Sequence, residues 1–219
     1  MKSGKMAKIV LDIALAGTLV AVMATALVQE VPHEWLGIAL FVLVIAHVVL
    51  NRKWIASIFR GRRSALRVLQ IVVVAVLAVC IIGQIASSLV LSKYVFGFLP
   101  ALPGAGWARR VHMLCSYWMF VLAFVHAGLH IRVPKDMAPW LLWMVRIALV
   151  LIACFGVYSF VQLGLWSYLM GQVQFAYADY DTPLALVCAY YASVAVLIAI
   201  AFHCIREGIA TAGKSKRRS

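Results

Sequence analysis

Acidic side chains are scarce in this chain, with seven Asp and Glu in 219 residues against 20 Lys and Arg. Charged residues of both signs make up only 12%, hydrophobic ones 65%, and the mean hydropathy is +1.00. An ordinary water-soluble domain, with about a quarter of its residues charged, is excluded by that balance. Paired cysteines are also missing: Cys80, Cys115, Cys154, Cys188 and Cys204 stand singly in apolar stretches, with no Cys-x-x-Cys spacing. They read as small apolar core residues without chemistry of their own. No glycine-rich dinucleotide fingerprint is present, so the chain by itself does not oxidise a nicotinamide cofactor. Asp12 is the one candidate acid well inside an apolar run, which weighs against a transporter built on paired carboxylates.

What the chain does have is long apolar runs, each near the roughly 20 residues that a spanning helix needs. They fall at about 8–28, 33–50, 67–91, 110–131, 145–164 and 183–205. The expected fold is all-α, a polytopic transmembrane bundle of about six spans over residues 1–206, followed by a basic tail, 207–219.

The net charge of +13 raises the question of nucleic acid, but its distribution points to membrane topology and lipid contact instead. With six spans, Lys2, Lys5, Lys8, the loop from Arg52 to Arg67, Arg132, Lys135 and the Lys214–Arg218 tail share one face. Lys93, Arg109 and Arg110 lie on the other, with Glu30, Glu34, Asp179 and Asp181. The positive-inside rule makes the basic face, and both termini, cytoplasmic. The basic start and the run Ala24-Thr25-Ala26 also resemble a signal peptide. The length of the apolar run, with Asp12 and Gly17 inside it, favours a retained helix, and cleavage moves no histidine to the other side.

Two histidine pairs stand out: His33 and His47 on the second span, His112 and His126 on the fourth, each fourteen residues apart. On an α-helix that interval is a rise of about 21 Å and a rotation about 40° short of four turns. Both members of a pair therefore share a face, one near each membrane surface. The segments Phe41-Val42-Leu43-Val44-Ile45-Ala46-His47 and Phe120-Val121-Leu122-Ala123-Phe124-Val125-His126 match as an internal repeat. One span separates the two copies, so they cross the membrane in the same direction.

An ionisable side chain within a membrane span is a functional candidate whose partner must be named. Neutral imidazole ligates iron through one nitrogen while the other donates to the protein. Four imidazoles at two matching depths suit two non-covalent b-type haems, held between the second and fourth helices by His33 with His112 and by His47 with His126. Without Cys-x-x-Cys-His, covalent c-type attachment is ruled out. Gly37 and Ser116, each one turn beyond a histidine, leave room for a close approach. Helix-to-helix hydrogen bonding remains the bland reading for any one of these histidines alone.

His130 follows His126 by one turn on the same face. It is an alternative inner ligand, or a propionate or quinone contact. Depth matching prefers His126, because His130 lies about 6 Å deeper by helix rise. His203 reads as structural or interfacial. Arg109 and Arg110 beside His112, and Arg52 with Lys53 beyond His47, are candidate partners for anionic propionates, with headgroup snorkelling the plainer reading for Arg52 and Lys53. Arg146, near Trp140 and Trp143, is either a quinone or propionate contact or part of the interface belt. The segment Tyr94 to Trp107 is an outer docking surface or simply an interfacial loop.

The run His33-Glu34-Trp35-Leu36-Gly37 through His47 to Asn51-Arg52-Lys53-Trp54 resembles the first half of the flavinylation-associated cytochrome family. The second half is similar in Ala108-Arg109-Arg110, His112, Ser116-Tyr117-Trp118 and His126-Ala127-Gly128-Leu129-His130, and further on in Tyr158-Ser159-Phe160, Trp166-Ser167-Tyr168 and Asp179-Tyr180. The resemblance implies a di-haem b-type cytochrome of a prokaryotic cytoplasmic membrane, with His33, His47, His112, His126 and His130 at the family's histidine positions. It also implies an extracytoplasmic acceptor bearing covalent flavin. The expected path runs from an inner donor, most simply a bound membrane quinol, through His47/His126 and His33/His112 to that acceptor. Two alternatives stay open: a cytochrome b anchor subunit of a larger dehydrogenase or hydrogenase, and a haem-free transporter or structural membrane protein.

Overall fold

A computed structural model describes residues 2–25, 29–58, 64–98, 100, 102–131, 138–173, 175 and 181–215, with the side chains of 2, 3, 214 and 215 excepted. Ala26, Arg60, Arg62, Arg63, Arg132, Lys135, Asp179, Tyr180 and the tail beyond Ser215 lie outside the described residues. All regular structure among the described residues is helical: α1 (Lys2–Thr25), α2 (Glu30–Leu50), α3 (Arg52–Ser57), α4 (Ala65–Leu91), α5 (Ala105–His130), α6 (Pro139–Gln162), α7 (Leu165–Leu169) and α8 (Leu184–Ser215).

Six of these are long and apolar enough to cross a membrane: Gly4–Thr25, Glu30–Leu50, Ala65–Leu91, Ala105–His130, Pro139–Gln162 and Leu184–Gly213. The six expected spans are present, and the first five begin two to six residues earlier than hydropathy indicates. Local chemistry explains several boundaries. Pro139 opens α6, where its missing N–H costs no helical bond. Ser64 caps α4 by accepting the Arg67 N–H at 3.3 Å. Gly104, at φ 103°, turns the chain into α5 through a conformation that L side chains rarely adopt. The short helices α3 and α7 lie in segments that hydropathy alone reads as loops. Gly164, at φ 57°, makes the turn into α7.

The outward faces are apolar, with Val79, Ile82 and Val161 exposed by 67%, 67% and 69%. Contiguous apolar surface of this kind is stable against lipid and not against water, so the chain is a multi-pass membrane protein.

The bundle is organised around α5, which packs on α4, α7 and α8, while α6 packs on α8 and α1 bridges α2 and α8. Phe120, Leu165, Tyr191 and Val194 are fully buried at this centre, and the rings of Tyr117 and Tyr168 stack at 4.3 Å. Small residues bring the backbones close: a Cβ on Gly128 would collide with the carbonyl of Ala199, and one on Gly156 with the backbone of Ser193. Beside the second crossing Ser193 Oγ donates to Ser159 Oγ at 2.9 Å. α2 is different. Among the described residues it packs closely on α1 and α3 only, buries Leu40 alone, and faces α5 without close backbone packing.

Candidate functional site

Across the space between α2 and α5 the four spaced histidines meet in two pairs. The rings of His33 and His112 have their centres 6.2 Å apart, and those of His47 and His126 are also 6.2 Å apart. Each pair joins corresponding positions of the two helices, first with first and second with second. That matching requires α2 and α5 to run in the same direction. The equal spacing arises because both helices carry the same fourteen-residue interval and therefore the same rise.

The separation has a chemical meaning. Metal–imidazole bonds are about 2 Å long and a five-membered ring's centre lies roughly 1 Å from its atoms, so two imidazoles opposed across one metal ion have centres about 6 Å apart. Among the described residues no group of three or more His, Cys, Asp or Glu side chains converges as a metal site. Each pair could offer two imidazoles to a metal whose remaining positions are filled by other groups.

Three of the four rings are oriented by the protein. His33 Nδ1 donates to the carbonyl of Val22 on α1 at 3.1 Å. His47 Nδ1 donates to Asp12 Oδ1, also on α1, at 2.9 Å. Both bonds leave Nε2 unprotonated, and at His47 the Asn51 amide Nδ2 approaches that lone pair at 3.5 Å. At His112 the neighbours come from α4: Ser87 Oγ and Ser88 Oγ each lie 3.4 Å from Nδ1. Ser87 commits its proton to the Gly83 carbonyl at 2.7 Å, so towards His112 it acts as an acceptor. Gln84 Nε2 lies 3.2 and 3.1 Å from the two ring nitrogens of His112 and donates to Ser116 Oγ at 3.0 Å. His126 is the exception, its Nδ1 buried without a hydrogen-bond partner, as is the Nδ1 of His203.

The imidazole that faces His47 is that of His126 and not that of His130. The His130 ring lies 4.4 Å from that of His126, is exposed, and donates from Nδ1 to the His126 carbonyl at 2.9 Å. Its other ring neighbour is Trp54 of α3, at 5.8 Å. Ser116 is more than a small residue one turn from His112, since it donates to the His112 carbonyl at 2.7 Å. At Gly37 no protein atom lies within 4 Å of an added Cβ, so the expected close approach there is not made by a neighbouring helix.

The candidate arginines are spread more widely. Arg109 lies over the Phe175 ring at 4.6 Å, while Arg110 and Arg52 are exposed. Arg146 lies over Trp143 of its own helix at 5.7 Å, on α6, whose packing partners are α7 and α8, and it is not brought to the histidine pairs. At the other end of α2, Lys8 Nζ donates to Asn51 Oδ1 at 2.8 Å, and Asn51 Nδ2 donates to the His47 carbonyl at 3.0 Å.

Asp12 and Gln84 are the polar partners that histidine spacing does not reveal. Each is a polar side chain interrupting an apolar run, which is a usable signal. Which histidine it meets depends on how α1 and α4 pack. In comparisons with family models, curated proteins and solved structures, nothing matches this chain.

Proposed function

We propose that the chain is a di-haem b-type cytochrome that carries electrons across a membrane. His33 with His112, and His47 with His126, would serve as axial ligands. The observation that supports it most directly is the pair of equal 6.2 Å ring separations between co-directional helices. When bound, haem supplies a one-electron iron couple, and filling both axial positions favours electron transfer over oxygen chemistry.

The protein's own residues prepare the site in three ways. Val22 and Asp12 hold His33 and His47 in the tautomer with Nε2 unprotonated, so that the rings enter the apolar phase neutral; at His47 the long 3.5 Å contact from Asn51 Nδ2 would give way to a ligated metal. Ser87, Ser88, Gln84 and Ser116 surround His112 with neutral hydrogen-bonding groups. α2 and α5 do not pack their backbones closely, and a Cβ at Gly37, one turn from His33, would meet no protein atom within 4 Å, so bulk is low beside that ring.

The resemblance to flavinylation-associated cytochromes extends the reading to an extracytoplasmic flavin-bearing acceptor, a quinol or other donor at the basic face, and a prokaryotic cytoplasmic membrane with both termini inside. The test is a reduced-minus-oxidised absorption spectrum of the purified chain with a haem assay. The expected result is b-type bands and about two haems per chain. A colourless protein after expression with ample haem supply rules the reading out.

A further inference from the structure

The two histidine pairs have the same geometry but different electrostatic surroundings. His33 donates to a neutral backbone carbonyl, His112 has neutral hydroxyl and amide neighbours, and His126 Nδ1 has no partner. His47 alone donates to a carboxylate, that of Asp12, at 2.9 Å. Asp12 lies between Leu11 and Ile13, two turns inside a spanning helix, where an acid is costly to keep. Lys8 is one turn away on α1, yet its ammonium bonds Asn51 Oδ1.

We propose that Asp12 is a positioning residue for His47 that makes the His47–His126 haem the lower-potential member of the pair. This rests on the haem-binding reading above. A carboxylate accepting the Nδ1–H bond raises the basicity of the imidazole as a ligand. Both that basicity and the negative charge, acting in a medium of low dielectric constant, favour ferric over ferrous iron. No carboxylate accepts from a ring of the His33–His112 pair: Glu34, beside His33 in the chain, is taken up by the Ser92 hydroxyl and the backbone N–H groups of Lys93, Tyr94 and Val95. With haem bound at both pairs, an electron leaving ferrous iron at His47 and His126, which would become ferric, for ferric iron at His33 and His112, which would become ferrous, would run downhill. The consequence is a built-in direction, from the end of the bundle that carries Lys8, Arg52 and Lys53 towards the end that carries Glu34 and Lys93.

The experiment is a spectroelectrochemical titration of the full-length haem-loaded protein and of Asp12→Asn, with His47→Ala to identify the component. The expected result is two midpoints, of which Asp12→Asn moves the lower one upward and leaves the other in place, the moved component being the one that His47→Ala removes. Two midpoints that both stay put in Asp12→Asn overturn the proposal while leaving the haem-binding reading intact. If the unaltered protein binds no haem, both fall together.

If Asp12→Asn does not retain the lower-potential haem, Asp12→Glu is expected to restore it at a midpoint below that of its partner. Restoration at or above the partner's midpoint counts against the proposal.

Discussion

Glu34 accepts the backbone N–H of Val95 at 2.9 Å, and the same carboxylate takes the Lys93 N–H at 2.8 Å, the Tyr94 N–H at 3.1 Å and the Ser92 hydroxyl at 2.7 Å. One side chain thus fastens the start of α2 to the chain leaving α4, next to His33. α2 has few close packing partners, so this polar tie substitutes for apolar burial. Glu30 reinforces it by pairing with Lys93 at 2.9 Å, and that hydrogen bond holds the Lys93 ammonium above its usual value.

Glu34→Ala is expected to lower stability by about 1–2 kcal/mol, the low end of charge-assisted hydrogen bonding because the site is partly solvated. Thermal unfolding in detergent measures it. If the haem reading holds, the same variant loosens the His33–His112 haem before the other, because His33 adjoins the tie.

The close crossing of α5 and α8 depends on Gly128. Gly128→Val places a side chain into the Ala199 backbone and is expected to destabilise by about 1–3 kcal/mol or more, as overpacked cores do. Gly37→Ala is the contrasting case, expected to leave the unfolding temperature of the haem-free protein unchanged because no protein atom lies near the added methyl. Equal losses in the two variants contradict this account of the packing.

Buried between α6 and α8, Ser193 donates to Ser159 at 2.9 Å. Hydrogen bonds between membrane helices average about 0.6 kcal/mol by double-mutant cycle. A cycle of Ser159→Ala and Ser193→Ala is expected to return a coupling of that order. A coupling indistinguishable from zero shows the contact to be incidental.

The histidines separate by role. On the haem-binding reading, His47→Ala and His126→Ala are each expected to reduce haem content from about two per chain to about one, because each removes a proposed ligand. His130→Ala keeps both, since His130 contacts His126 and Trp54 and does not face His47. Pyridine haemochrome quantitation decides it, and loss of a haem in His130→Ala reassigns the ligand.

The span count and the matching of histidine depths were both legible in the sequence. Hydropathy is a property of consecutive residues, and a helix turns residue number directly into rise. The co-direction of α2 and α5 followed from counting the one span between them. The short helices α3 and α7 were not legible, because each is too short to leave a hydropathy signal and follows an Asn or Gly that reads equally well as a loop.

By itself the sequence determined how many times the chain can cross a membrane and at what heights its histidines stand, since helical rise and apolar length are local quantities. Only the tertiary structure decided which helices are neighbours: α8 against both α5 and α6, α1 beside α2, and α2 held off from α5. It also decided the partners of the rings, with Asp12 at His47, Val22 at His33, and Gln84 and Ser87 at His112. Those contacts depend on the rotation of each helix about its axis and on where small residues let backbones meet. Both are set by packing between segments distant in the chain.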